Sequence, residues 1–282
     1  MSETSYWEDV WQRFKANRVA FTTLWILLAL MALAVLGPMI SPYSYSDIQL
    51  DWKNTPPCAK YWFGSDELGR DLFTRVWWGA RISLFVGITA ASIDIAFGVF
   101  YGAISAYAGG KTDELMMRIA DILYSIPYLL VVILLTVIRG SGIGTILIAM
   151  TLTGWITMSR IIRAQILQLK QNDYIAAAKI TGASPPRILF LHLLPNAIGP
   201  IVATLTLTIP TAIFTEAFLS FLGLGVQAPA ASWGVLVSDA LSAMRYYPWR
   251  LFFPASMITL TMLCFNLLGN ALRDALDPRL RR

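Results

Sequence analysis

The sequence predicts an all-α membrane protein with six transmembrane helices, and three observations lead there. Of its 282 residues, 56% are hydrophobic and only 14% charged, with a mean hydropathy of +0.60; soluble domains carry about 25% charged residues. Six apolar runs approach the roughly 20 helical residues needed to cross a hydrocarbon core. Strands are excluded because an open sheet in lipid would leave backbone groups unpaired.

The elements follow in order. "YWEDVWQRFKANR" sets Trp7, Trp11 and Phe14 on one helical face with Val10 beside them, and basic residues after. This predicts an amphipathic N-terminal helix over 1–18, lying in the membrane interface or packed on the bundle; both readings stay open. Spans are predicted at 20–40, 82–108, 118–138, 143–159, 197–222 and 251–271. The first is a retained signal-anchor, since its run is too long for a signal peptide and no A-x-A site follows. The stretches 41–81 and 160–196, about 40 residues each, are too small for a soluble catalytic domain. Residues 272–282 form a polar tail.

Charge sets the orientation. With a cytoplasmic N-terminus, fourteen Lys and Arg fall on inside segments and eight on outside ones. The positive-inside bias therefore puts both termini in the cytoplasm and accounts for the net charge of +5 without nucleic acid. It also places 160–196 in the cytoplasm.

In the second span, Gly98, Gly102 and Ala106 recur at four-residue intervals, the spacing that lets two helix backbones approach closely. Three acids lie within spans: Asp94, Asp121 and Glu216. A carboxylate in lipid is costly, so these are candidate intramembrane polar sites that face a cavity or bond a neighbouring helix. Asp121 lies near enough to a span end to reach water.

Several chemistries fail on inventory. "SAYAGGKT" ends like a phosphate loop at Gly110-Lys111-Thr112, but Ser105 stands where the first glycine belongs, and a membrane helix precedes it. With one histidine, His192, and two distant cysteines, Cys58 and Cys264, neither a metal cage nor a nucleophile–base pair is expected. No disulfide is expected either.

The polar loop is the most informative segment. Tyr174–Ile180 reads as a short helix stopped by Gly182 in the left-handed conformation. Ser184 then caps a second helix with Pro185 at its first position, and Pro195 ends it. Two short helices on a glycine turn make a rigid, protruding elbow.

These residues resemble the cytoplasmic signature of binding-protein-dependent ABC importer permeases, E-A-A-x-x-x-G-x(9)-I-x-L-P. Ala177, Ala178, Gly182, Leu194 and Pro195 match; Ala176 stands in place of Glu and His192 in place of Ile. "FGSDELGRDLFTRVWWGARISL" (63–84), "LSFLGLGVQAPAASWGVLVSDA" (219–240) and "FNLLGNALRDALDPRLR" (265–281) are similar to the C-type subunit of dipeptide/oligopeptide permeases, with Asn270 replacing the usual Asp.

The resemblance implies a type I ABC importer permease fold with a five-helix core over 82–271, after a first helix and extracytoplasmic loop over 19–81. It implies a non-enzymatic subunit of the cytoplasmic (inner) membrane that imports di- or oligopeptides. Its partners would be a second permease, two ABC ATPase subunits holding ATP and magnesium, and an extracytoplasmic solute-binding protein. Docking and coupling would fall on 174–195, through Ala176, Ala177, Ala178, Lys179, Gly182, Ala183, Ser184 and Arg187. A nickel or glutathione permease and an ion-coupled carrier are the alternatives.

Overall fold

A computed structural model describes residues 6–276. The side chain of Trp7 and the tail beyond Leu276 lie outside the described residues. The described chain is helical, with no strand. Five helices are long and apolar enough to cross a membrane, and a sixth crossing results if one bent pair counts as a single span.

The amphipathic helix α1 (Tyr6–Ala16) leads into α2 (Arg18–Ile40) across Asn17, whose side chain accepts from the Ala20 N–H. Phe14 is buried with Val10 against the α2 and α13 (Trp249–Leu276) core, while Trp11 is about half exposed and stacks on Phe14. The helix thus packs on the bundle through one edge and leaves an aromatic outside it.

The longest helix, α3 (Leu72–Ala108), organises the molecule. It runs about 55 Å at 1.5 Å per residue and touches every hydrophobic cluster. It begins ten residues before the predicted second span because Asp71 caps it, accepting from the Thr74 N–H at 2.9 Å. Charged Arg75 and Arg81 mask that first stretch in a hydropathy reading. At its far end Gly109 (φ +66°) and Gly110 (φ +53°) turn the chain into α4 (Gly110–Ser125), so the apparent phosphate loop is a helix–helix corner.

The third predicted span is broken. Helices α4 and α5 (Tyr128–Arg139) meet at a 75° bend. The proline ring at 127 disfavours helical backbone at the preceding residue, and Ile126 is extended (ψ 123°). The fourth span is longer than predicted: α6 (Ile143–Thr153) and α7 (Trp155–Leu169) join at the helical residue Gly154 into a single 27-residue span. Beyond α7 lie α8 (Asp173–Ile180), α9 (Pro185–Arg187), a π-helical stretch (Ile188–Leu193) and α10 (Leu194–Asn196).

The fifth span is α11 (Ile198–Phe221) and the sixth is α13. Between them sits α12 (Trp233–Leu241), which hydropathy does not reveal. Ser232 caps it, and fully buried Trp233 pins it by donating to the Val76 carbonyl at 2.9 Å.

The loop before α3 is held at the opposite end from α8. Asp66 accepts from Arg70 Nε at 2.6 Å and from the Leu68 and Arg70 N–H groups at 2.9 Å. Arg75 lies 3.5 Å from Asp66 and 3.7 Å from Asp239, while Arg250 pairs with Glu67 and donates to Asn54 at 3.1 Å. Gly69 (φ +73°) passes so close to the Gln49 carbonyl that no side chain would fit. The segment 63–84 is thereby a folded ionic clamp on α3, α12 and α13.

Candidate functional site

The elbow begins where α7 ends. Lys170 donates to the Ala106 and Tyr107 carbonyls at 2.9 and 3.1 Å, closing the end of α3. Burial holds its ammonium below the ordinary lysine range, and Lys179 pushes the same way. Arg163 grips Asp113 with two 2.6 Å bonds, and the Ser105 hydroxyl donates to the same carboxylate, tying α7, α4 and α3 together.

From this base α8 projects. Its C-terminus is a Schellman motif: the Gly182 N–H donates to the Lys179 carbonyl at 3.1 Å and the Ala183 N–H to Ala178 at 3.0 Å. Gly182 has φ +80°, and a β-carbon there would meet nothing within 4 Å. Its requirement within this chain is therefore conformational. Ser184 sits at the N-cap with Pro185 following, but its hydroxyl makes no capping bond. With prolines at both first positions, N2 has no N–H to donate to a capping oxygen. Pro195 does not end the second helix. The π-helical stretch widens the register ahead of it, so the turn continues to Asn196 without the hydrogen bond that a proline cannot donate.

The elbow has two faces. Ile175, Ile188 and Leu193 are buried with Ile162, Ile166 and Ala106, while Ala178 and Ala183 pack at the edge. The other face presents Tyr174, Ala176, Ala177, Lys179, Ser184 and Arg187 outward, and Ile180 is 87% exposed. A rigidly based outward face that combines apolar residues with basic ones is suited to seat on another protein.

Gly98 and Gly102 lie on the face of α3 against α7. A β-carbon on Gly98 would come within 2.6 Å of the Trp155 carbonyl, and one on Gly102 would collide with the Ser159 carbonyl. Ala106 is fully buried one turn on.

The three acids part company. Asp121 reaches across to Arg160 at 2.7 Å in a largely exposed pair. Glu216 is fully buried at a junction of α3, α11 and α12. There Ser83 donates to it at 2.9 Å and Ser220 at 2.7 Å, and Ser83 also accepts from the Trp233 N–H at 3.2 Å. Asp94 lines a cavity of about 400 Å³ between α3, α5, α6, α7 and α11. The Oδ1 atom of Asp94 and the Tyr128 hydroxyl are buried there without a hydrogen-bond partner among the described residues.

Hydropathy does not predict the ionic clamp at 63–84 or the Ser83–Glu216–Ser220 junction. Composition signals the clamp as a density of charge in a chain otherwise poor in it, and the resemblance of 63–84 marks the segment without giving its pairings. Among the described residues no cluster of three or more His, Cys, Asp or Glu could hold a metal ion.

Two family models match. One, described as "Binding-protein-dependent transport system inner membrane component", covers residues 96–282, and "N-terminal TM domain of oligopeptide transport permease C" covers 5–57. The Bacillus subtilis (strain 168) oligopeptide transport system permease protein OppC is 55% identical over 99% of this chain and 91% of its own length. The dipeptide transport system permease protein DppC of the same organism is 56% identical over 99% and 87%. A glutathione transport system permease protein, GsiD of Escherichia coli O6:K15:H31, is 40% identical over 98% and 91%. In fold, a chain of the inward-facing MetNI methionine ABC transporter superposes with a TM-score of 0.60 at 19% identity, covering 73% of this chain and 96% of that one.

Proposed function

The chain belongs to the binding-protein-dependent transport system inner membrane component family, as a C-type peptide permease, and from that premise we propose how it works in an importer of di- and oligopeptides. It is the membrane subunit, and ATP is hydrolysed on partner subunits. A second permease would complete the pathway, two ATPases would sit at the elbow end, and a solute-binding protein would deliver peptide to the end carrying the ionic clamp. Both termini and the elbow would then be cytoplasmic.

The observation that carries this reading is the elbow's construction. Its inner face is locked to α3 and α7 through Ile175, Ile188 and Leu193, and its outer face is presented to a partner. Closure of the ATPases would push on 174–195, and the locked inner face would pass the push to the two longest-packed helices. Ala176 makes the contact at the signature's first position apolar. Gly182 sets the angle between the two short helices, and Lys179, Ser184 and Arg187 form the polar rim. The high identity to peptide permeases over nearly the whole chain favours peptide over nickel or glutathione as the solute.

The test is reconstitution of the purified complex in liposomes with its binding protein. ATP-driven accumulation of labelled peptide supports the reading. Uptake driven by an ion gradient without ATP would establish a secondary carrier instead.

A further inference from the structure

We infer that the Asp94 cavity is a cation-selective subsite for the protonated N-terminal amine of a peptide in transit. This rests on the peptide-importer reading and adds a recognition role for the membrane subunit itself.

A carboxylate deep in a membrane bundle needs a cation or a hydrogen-bond donor. Asp94 is 6% exposed, 14 residues before the end of α3 at Ala108, which is about 20 Å along the helix. Its Oδ1 has neither kind of partner among the described residues, and no Lys, Arg or His lines the cavity. Room for the carboxylate is made by Gly154, where any β-carbon would collide with it. The chain therefore leaves this acid, among the described residues, without a protein partner in the interior of the bundle. By contrast, it surrounds Glu216 with hydroxyl donors and pairs Asp121 with Arg160.

The α11 side of the cavity has matching chemistry. Thr208, Thr211 and Thr215 each donate their hydroxyl proton to the carbonyl four residues earlier, at 2.9, 3.0 and 2.8 Å. With the proton committed to the helix, the lone pairs of each hydroxyl oxygen are left to accept. These threonines and Asp94 line one space. Beside the Tyr128 hydroxyl it holds these accepting oxygens and one carboxyl group, and its size falls within the range of small-molecule sites. An ammonium has three donors and no acceptor, which is the complement of this wall.

The experiment uses the complete importer in liposomes, with Cys58→Ser and Thr157→Cys placing a reporter thiol in the cavity. Its reaction rates with a cationic (aminoethyl) and an anionic (sulfonatoethyl) methanethiosulfonate are compared with those of a free thiol. Cation preference should exceed the solution ratio about tenfold and return to it with Asp94→Asn. In the native-threonine importer, Asp94→Asn should cut peptide uptake at least tenfold, with subunit composition and peptide binding to the binding protein unchanged. Asp94→Glu should restore part of it. A reagent ratio indifferent to Asp94→Asn, or uptake equal to wild type, would overturn the subsite. Loss of the second permease from the Asp94→Asn complex would also overturn it, since the carboxylate would then pair with that subunit. Failure of the wild type to take up any peptide would sink the importer reading instead, and the reagent ratio would still decide whether the cavity selects cations.

Discussion

Arg81 supplies two hydrogen bonds to the helix that Pro38 interrupts. Pro38 lies inside α2 and has no N–H, so the Ala34 carbonyl lacks its helical donor. Arg81, on α3, donates from Nε to that carbonyl at 2.6 Å and from Nη2 to the Val35 carbonyl at 2.5 Å. A gap in the helical hydrogen bonding that hydropathy ignores is thus filled by a charged side chain 47 residues away.

Arg81→Met should therefore destabilise the protein by about 1–3 kcal/mol, the cost of leaving such a group without its charged donor. In a Pro38→Ala background the helix provides its own N–H, and the same Arg81→Met change should cost much less. Thermal melting of the purified complex for the four members of the cycle measures this. Equal losses in both backgrounds would refute the pairing.

Gly182→Val should leave membrane abundance normal and sharply reduce peptide uptake, with ATP hydrolysis uncoupled or the ATPase lost. The positive φ resists a β-branched residue by at least about 1–2 kcal/mol, yet its β-carbon would meet no atom within 4 Å. Gly182→Asn, which tolerates that conformation, should keep most uptake. If valine transports as well as glycine, the elbow does not couple.

Glu216→Leu removes the acceptor for two buried serine hydroxyls where α3, α11 and α12 meet. Each orphaned buried group costs about 1–3 kcal/mol, so the variant should assemble poorly and melt well below wild type. Glu216→Gln keeps a carbonyl acceptor and should be milder. Size-exclusion profiles and melting curves of the two variants should separate in that order; matched profiles would deny the carboxylate a structural role.

Topology is readable with a native thiol. Cys58 is exposed in the loop before α3, whereas Cys264 is buried. In intact cells a membrane-impermeant maleimide should label Cys58 in wild type. A Cys58→Ser protein carrying Ser184→Cys should label only after permeabilisation. Labelling of position 184 from outside would invert the proposed orientation.

The apolar spans were legible in the sequence because crossing lipid depends on local composition, and the elbow was legible because a Schellman turn and a prolyl helix start are local chemistry. The small-residue face of α3 was also visible, since 98, 102 and 106 share a face in any helix. What the sequence could not supply was decided by which helix faces meet. Pro127 predicts a break after Ile126, but the 75° angle between the two helices is a property of the folded chain. The start of α3 at Leu72 depends on Asp71 and on an ionic clamp whose members span Asn54 to Arg250.

The three acids make the division clearest. In sequence Asp94, Asp121 and Glu216 are all carboxylates within predicted spans, and only Asp121 stands near enough to an end to reach water. Helix packing then places Arg160 beside Asp121, the Ser83 hydroxyl of α3 against Glu216, and a glycine and a threonine wall around Asp94. A span is determined by the free energy of transferring its own residues. The role of a charge inside it is determined by partners up to 133 positions distant, and only the tertiary structure brings those together.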